Sequence, residues 1–190
     1  MQPSNRRSFF KSAGAGLAGL FAVPGLSKAV EPFRPMFLEE PIPSDNVEAM
    51  AKIRNLTRIP IAAGENIYTR YGYRPYLEQQ ALSIIQLDMT KCGGLSESRK
   101  IAAMAEIYFI PIAPHGVASS LGKMAIAHVC ATVPNFLILE WSYGRKALDA
   151  LTTAAPLKAG YVELPDTPGI GVELNPDVVK AELERGYTML

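Results

Sequence analysis

Five polar side chains recur along this sequence at nearly equal intervals, each closing a short apolar run. Glu39 follows Met36 to Leu38, Glu65 follows Ile59 to Ala63, Asp88 follows Ser83 to Leu87, His115 follows Ile110 to Ala113, and Glu140 follows Phe136 to Leu139. The separations of 26, 23, 27 and 25 residues match the length of one strand-loop-helix-loop unit. In a parallel α/β arrangement the five would stand side by side at the carboxyl ends of the strands, where ligands bind in barrels and open sheets alike. Four carboxylates and one imidazole on a shared rim repel one another unless positive charge sits among them, and a divalent cation is the simplest source of it. Glu39 and Glu65 are hard oxygen donors of the kind magnesium prefers, with a third ligand expected. Asp88 and His115, on neighbouring strands, can form a dyad in which the carboxylate orients the imidazole as a general base near neutral pH. Glu140, if protonated, can hydrogen-bond a substrate carboxylate.

The elements that must position these residues are also legible. Continuously apolar runs indicate strands covered on both faces, as in a parallel sheet. Between them, Asp45 to Arg54 opens on an Asp cap candidate and keeps Val47, Met50 and Ala51 on one side. Ser96 to Tyr108 aligns Ile101, Met104, Ala105 and Tyr108, and Leu121 to Thr132 aligns Leu121, Met124, Ala125 and His128, so His128 reads as a packing residue. Gly72 and Pro75 interrupt the helix expected over Tyr68 to Gln80. Glu40 is expected on the opposite side of its strand from Glu39, in a structural hydrogen bond. Lys91 reads equally as a surface charge or a substrate contact.

With 190 residues and 48% hydrophobic content, the chain can build one domain with a core. Nineteen basic and eighteen acidic residues without long runs of one sign exclude the electrostatic footprint of a nucleic-acid binder, leaving a small molecule or another protein as partner. Cys92 and Cys130 lack CxxC spacing, which excludes a thiolate zinc site; they read most simply as unpaired, semi-buried residues, with a single bridge still open.

The N-terminal stretch reads differently from the rest. Arg6-Arg7 precede an uncharged, small-and-apolar run from Ser12 to Leu26. At about 1.5 Å per residue this run reaches roughly 22 Å, short of a hydrocarbon core about 30 Å thick, so no stable membrane span is expected. The layout resembles a twin-arginine export signal, with Ser27-Lys28-Ala29 offering small residues for cleavage. The expected organisation is a leader over residues 1–29, an α/β body over 30–160 and a closing segment over 161–190, in a periplasmic protein.

Together, Phe37-Leu38-Glu39-Glu40-Pro41, Ala63-Gly64-Glu65-Asn66, Asp88-Met89-Thr90-Lys91-Cys92-Gly93-Gly94, Ala113-Pro114-His115 and Leu139-Glu140-Trp141 resemble the C-terminal barrel half of an enolase-superfamily enzyme of the mandelate racemase type. The tail from Leu164 to Gly171 resembles the closing segment of acid-sugar dehydratases such as the galactonate dehydratases. The resemblance implies a partial (β/α) TIM-type barrel of about five units, strands four to eight. It implies that Glu39 and Glu65 bind Mg2+, that Asp88 and His115 are the base dyad, and that Glu140 contacts the substrate carboxylate. The chemistry it implies is removal of the proton α to a carboxylate, enediolate stabilisation by magnesium and loss of a β-hydroxyl from a sugar acid or other hydroxy acid. Racemases and cycloisomerases of the family share these residues. The family's third metal carboxylate and its Lys-x-Lys pair have no counterpart here. Five of eight strands cannot close such a barrel, and edges near Leu38 and Leu139 would invite another chain. Two expectations follow: a lyase completed by a complementing half-barrel chain or by a homo-oligomer, or a catalytically silent family fragment.

Overall fold

The computed structural model describes residues 25, 28–141 and 157–184, so the expected leader lies almost entirely outside the described residues. The apolar runs form parallel strands. β1 (Leu38–Glu39), β2 (Ile61–Ala63) and β3 (Ile84–Ile85) pair in chain order, with Leu38 opposite Ile61 and Ala63 opposite Ile85. Single parallel bridges carry the sheet from Ile85 to Ile112 and on to Phe136. Five strand positions therefore follow one another in sequence order, as in a partial α/β barrel built by repeated crossovers.

Continuous hydrophobicity in these runs serves two faces. Ile61, Ala63, Ile85, Leu87 and Ile112 join the main core, whereas Ala62, Ile84 and Ala113 form a second buried cluster with Phe37. Successive side chains alternate across the sheet, so apolar residues at every position imply cover on both sides.

Helix α1 (Val47–Leu56) is capped by Asn46, whose side-chain oxygen accepts the Ala49 N–H at 2.9 Å, one residue later than the Asp45 cap expected. Helix α2 (Thr69–Glu78) runs through Pro75. Proline removes one intrahelical hydrogen bond, but Tyr73, Tyr76 and Leu77 are buried around it and hold the helix on the core. The start of α2 is tied to α4 (Gly94–Ile107): Glu97 accepts the Arg70 backbone N–H at 2.8 Å and its guanidinium at 2.7 Å. Between them lies the single turn α3 (Met89–Cys92).

Helix α5 (Ser120–Cys130) starts under Ser119, whose hydroxyl accepts the Gly122 N–H. His128 is not only a packing residue: its Nε2 donates to the Ile170 carbonyl at 3.1 Å and fastens the closing segment to α5. β4 (Leu157–Lys158), just before that segment, forms an antiparallel hairpin with β5 (Tyr161–Val162) at its start, and α6 (Pro176–Glu184) follows. Cys92 and Cys130 are both buried and free. Among the described residues no helix is long and apolar enough to cross a membrane.

Candidate active site

Each rim residue is delivered by a local device. After β2 the chain passes through Gly64, at φ +144, where an added Cβ would come within 3.1 Å of the Gln86 backbone. Only glycine suits that conformation and that approach. The buried Tyr73 hydroxyl donates to the Gly64 carbonyl at 2.7 Å, and the turn presents Glu65 at the rim.

Asp88 is the N-cap of α3. Its Oδ1 accepts the Thr90 N–H at 2.7 Å and the Thr90 hydroxyl at 2.6 Å, which leaves Oδ2 for His115 Nδ1 at 2.8 Å. The Asp88 side chain is only 3% exposed. Burial is the largest influence on its acidity and pushes the carboxyl up, yet the hydrogen bonds from Thr90 and His115 together outweigh burial and hold it below the usual carboxylate range.

His115 is anchored through its own backbone N–H, which donates to Leu87 O at 3.0 Å. With Nδ1 on Asp88, its Nε2 lies 2.8 Å from Glu65 Oε2 and 3.8 Å from Glu140 Oε2. The ring is thus set between carboxylates, with Nδ1 on Asp88 and Nε2 toward Glu65 and Glu140. Nε2 is the nitrogen that faces the rim and can exchange a proton with a ligand once Glu65 yields it.

Glu140 is steered by Gly116, whose N–H donates to its Oε2 at 3.0 Å. Gly116 must lack a side chain, because the Glu140 carbonyl occupies the space a Cβ would take. Lys91, carried over the rim by α3, places Nζ 3.7 Å from Glu65 and 3.8 Å from Asp88. It is therefore part of the site's charge balance while staying exposed at the surface.

Glu65, Asp88, His115 and Glu140 thus converge. Glu39 is exposed at the end of β1 and makes no ion pair or hydrogen bond with the others among the described residues. Glu40 has φ +35, so the chain leaves the strand after Glu39, and Glu40 Oε2 accepts from Asn66 Nδ2 at 3.3 Å, the structural hydrogen bond expected of it. Asn66, Thr90 and Gly116 were not singled out by sequence for the site. Only Thr90 carries a signal, as the third residue of an Asp-x-Thr turn whose side chain and N–H can both reach the aspartate.

The donor chemistry suits magnesium in kind, since Glu39 and Glu65 offer hard oxygens from adjacent strands and magnesium is often held by one or two carboxylates plus water and substrate oxygens. Among the described residues no group of three acidic, imidazole or thiol side chains is gathered to hold an ion.

The family described as enolase C-terminal domain-like matches residues 24–178. The chain is 40% identical over 166 residues to the D-xylonate dehydratase of Haloferax volcanii, covering 86% of this chain and 40% of that protein. It is 36% identical over 162 residues to the D-galactonate dehydratase of Ralstonia pickettii, covering 81% of this chain and 42% of that one. A solved structure of a mandelate racemase/muconate lactonizing enzyme-like protein from Rubrobacter xylanophilus superposes with a TM-score of 0.80 at 40% identity, covering 85% of this chain and 42% of the other. The chain spans about two fifths of the length of the relatives it matches. From residues 24 to 178 it belongs to the enolase C-terminal domain-like family, on the mandelate racemase/muconate lactonizing enzyme side and close to acid-sugar dehydratases.

Proposed function

We propose that this chain carries the base half of a magnesium-dependent acid-sugar dehydratase. The observation that carries the reading is His115, bonded through Nδ1 to a buried Asp88 and facing Glu65 and Glu140 through Nε2. Asp88 fixes the ring orientation and stabilises its protonated form. Nε2 takes the proton from the carbon α to the substrate carboxylate. The electron pair left behind forms the carbon-carbon double bond as the β carbon-oxygen bond breaks, and the hydroxyl leaves as water with the proton His115 returns. The enol tautomerises to a 2-keto-3-deoxy acid. Glu140, held by Gly116, is oriented toward the substrate carboxylate. Glu39 and Glu65 would hold Mg2+, which when bound supplies positive charge to the carboxylate oxygens of the substrate.

The relatives named D-xylonate and D-galactonate dehydratase support a sugar-acid substrate. A complementing chain or a second copy would contribute the remaining charge around the substrate. The test is magnesium titration by calorimetry, with Glu39→Gln and Glu65→Gln as controls, followed by assay of 2-keto product from D-xylonate and D-galactonate. Submillimolar magnesium binding lost in both variants, with keto acid formed, is the expected result. Epimer formation without keto product would favour a racemase, and ring-forming isomerisation a cycloisomerase.

A second reading, a catalytically silent fragment, is favoured by the absence of a three-ligand group among the described residues. Millimolar or no magnesium binding, indifferent to either substitution, would select it. For the N-terminal stretch, Arg6-Arg7 and the run from Ser12 to Leu26 support export to the periplasm. Mass spectrometry of the periplasmic fraction tests this, with a chain beginning at residue 30 expected.

A further inference from the structure

The rim carboxylate of Glu65 does not stand by itself. Its Oε1 accepts from Asn66 Nδ2 at 3.1 Å, and the same amide nitrogen lies 3.3 Å from Glu40 Oε2. One NH2 group therefore joins two carboxylates from adjacent strand ends. Ionised carboxylates only accept, so the Asn66 amide must present its nitrogen to both, and its orientation is settled by chemistry.

The backbone around this bridge is unusual on both sides. Glu40 adopts φ +35 although it is not glycine, and Gly64 adopts φ +144 two residues before Asn66. Backbone held in sparsely populated regions recurs at sites where geometry serves function. The Glu40 backbone N–H donates to Ala62 O at 2.9 Å, which ties it to β2, and its Oε1 is buried with no hydrogen-bond partner. Glu40 is thus held in place by its surroundings, while Asn66 is exposed and lines an open cavity of about 550 Å³ with Glu40.

We propose that Asn66, held by Glu40, is a positioning residue that sets the orientation of the Glu65 carboxylate. With Oε1 fixed by the amide, Oε2 is aimed at His115 Nε2. Glu65 is then presented in one orientation both to the imidazole and to a cation. Groups that orient a metal-binding carboxylate typically change affinity by roughly 10- to 100-fold when removed. The magnesium arm of the inference rests on the reading of Glu65 as a ligand; the imidazole arm does not.

The test combines calorimetry with nitrogen-15 NMR of the histidine side chains, which is tractable because the chain has only two, His115 and His128. Asn66→Ala should shift the His115 Nε2 resonance and weaken Mg2+ binding by roughly tenfold or more, leaving the His128 resonance and the thermal midpoint in place. Glu40→Ala should reproduce both effects, and Glu40→Gln, which keeps an oxygen acceptor, should restore most of the wild-type behaviour. Should Glu40→Ala fail to fold, the exposed Asn66→Ala variant decides. An unmoved His115 resonance in Asn66→Ala overturns the inference. If that resonance moves while the wild-type chain binds no magnesium, Asn66 positions Glu65 and the metal reading is the one that fails.

Discussion

At the scale of residues, the dyad makes a claim about acid stability. Because Asp88 is held below the usual carboxylate range by Thr90 and His115, its ionised form is favoured in the folded state. The stabilisation is fully present above the unfolded value of about 4 and is lost as pH falls through the lower folded value. Asp88→Asn keeps the shape and removes the charge. Urea unfolding from pH 7 down to pH 3 should show wild type more stable by a constant margin to about pH 5, narrowing below about pH 4. A margin that persists at pH 3 would contradict the assignment. In an active assembly the same substitution should lower turnover by roughly 10²- to 10⁴-fold, the usual span for general acid-base catalysis. Glu65, Asp88, His115 and Glu140, which converge, were legible because each ends an apolar run; Glu39 ends one too but stands apart from them. Asn66 and Gly116 were not, since a lone amide or glycine in a polar turn has no periodicity to expose it. Glu40 keeps the structural hydrogen bond expected of it, to Asn66, on the side of the sheet where Tyr73 and Tyr76 lie, although its own backbone turns to φ +35.

Elements show where local rules yield to packing. Helix α2 survives Pro75 because the aromatic face of Tyr73 and Tyr76 is buried. The last two strands shrink to single bridges for a local reason: Pro111 and Pro114 flank the pairing at Ile112 and cannot donate to a ladder. Register is nonetheless kept by Leu137 N–H to Ile112 O and Glu140 N–H to Pro114 O. The turn after β2 is the most exacting element, and Gly64→Ala should destabilise the domain by about 1–3 kcal/mol in thermal unfolding, because the new Cβ meets the Gln86 backbone at an unfavourable φ. A loss under a few tenths would mean that the turn relaxes freely. The buried thiols give a second check at this scale. Burial pushes Cys130 up to about 12 and also raises Cys92, with the Ser98 hydrogen bond opposing only part of that rise. Both should react with Ellman's reagent only as the chain unfolds, and two thiols should titrate without prior reduction.

For the whole molecule, the sheet order was recoverable because a repeat of about 25 residues leaves room for one helix between parallel strands. What periodicity could not supply is how the sheet ends. Among the described strands β1 pairs only through β2, and Phe136 bridges only to Ile112, so each outermost strand has one side without a strand partner. On the second of these, Phe136, Leu137 and Ile138 are 39%, 45% and 45% exposed. They border a groove of about 450 Å³ shared with Ala127 and Cys130 of α5 and Tyr161 of the hairpin. Backbone donors and acceptors beside exposed β-branched and aromatic side chains form a template for another strand, and a charged residue is the usual way to blunt one. Sedimentation velocity on the purified chain should therefore show species larger than a 20.6 kDa monomer. Ile138→Lys should shift the distribution toward monomer without changing the His115 resonance, because the substitution charges the edge and leaves the rim alone. A wild-type chain that sediments as one monomeric species at tens of micromolar would mean that these edges are covered from within the chain.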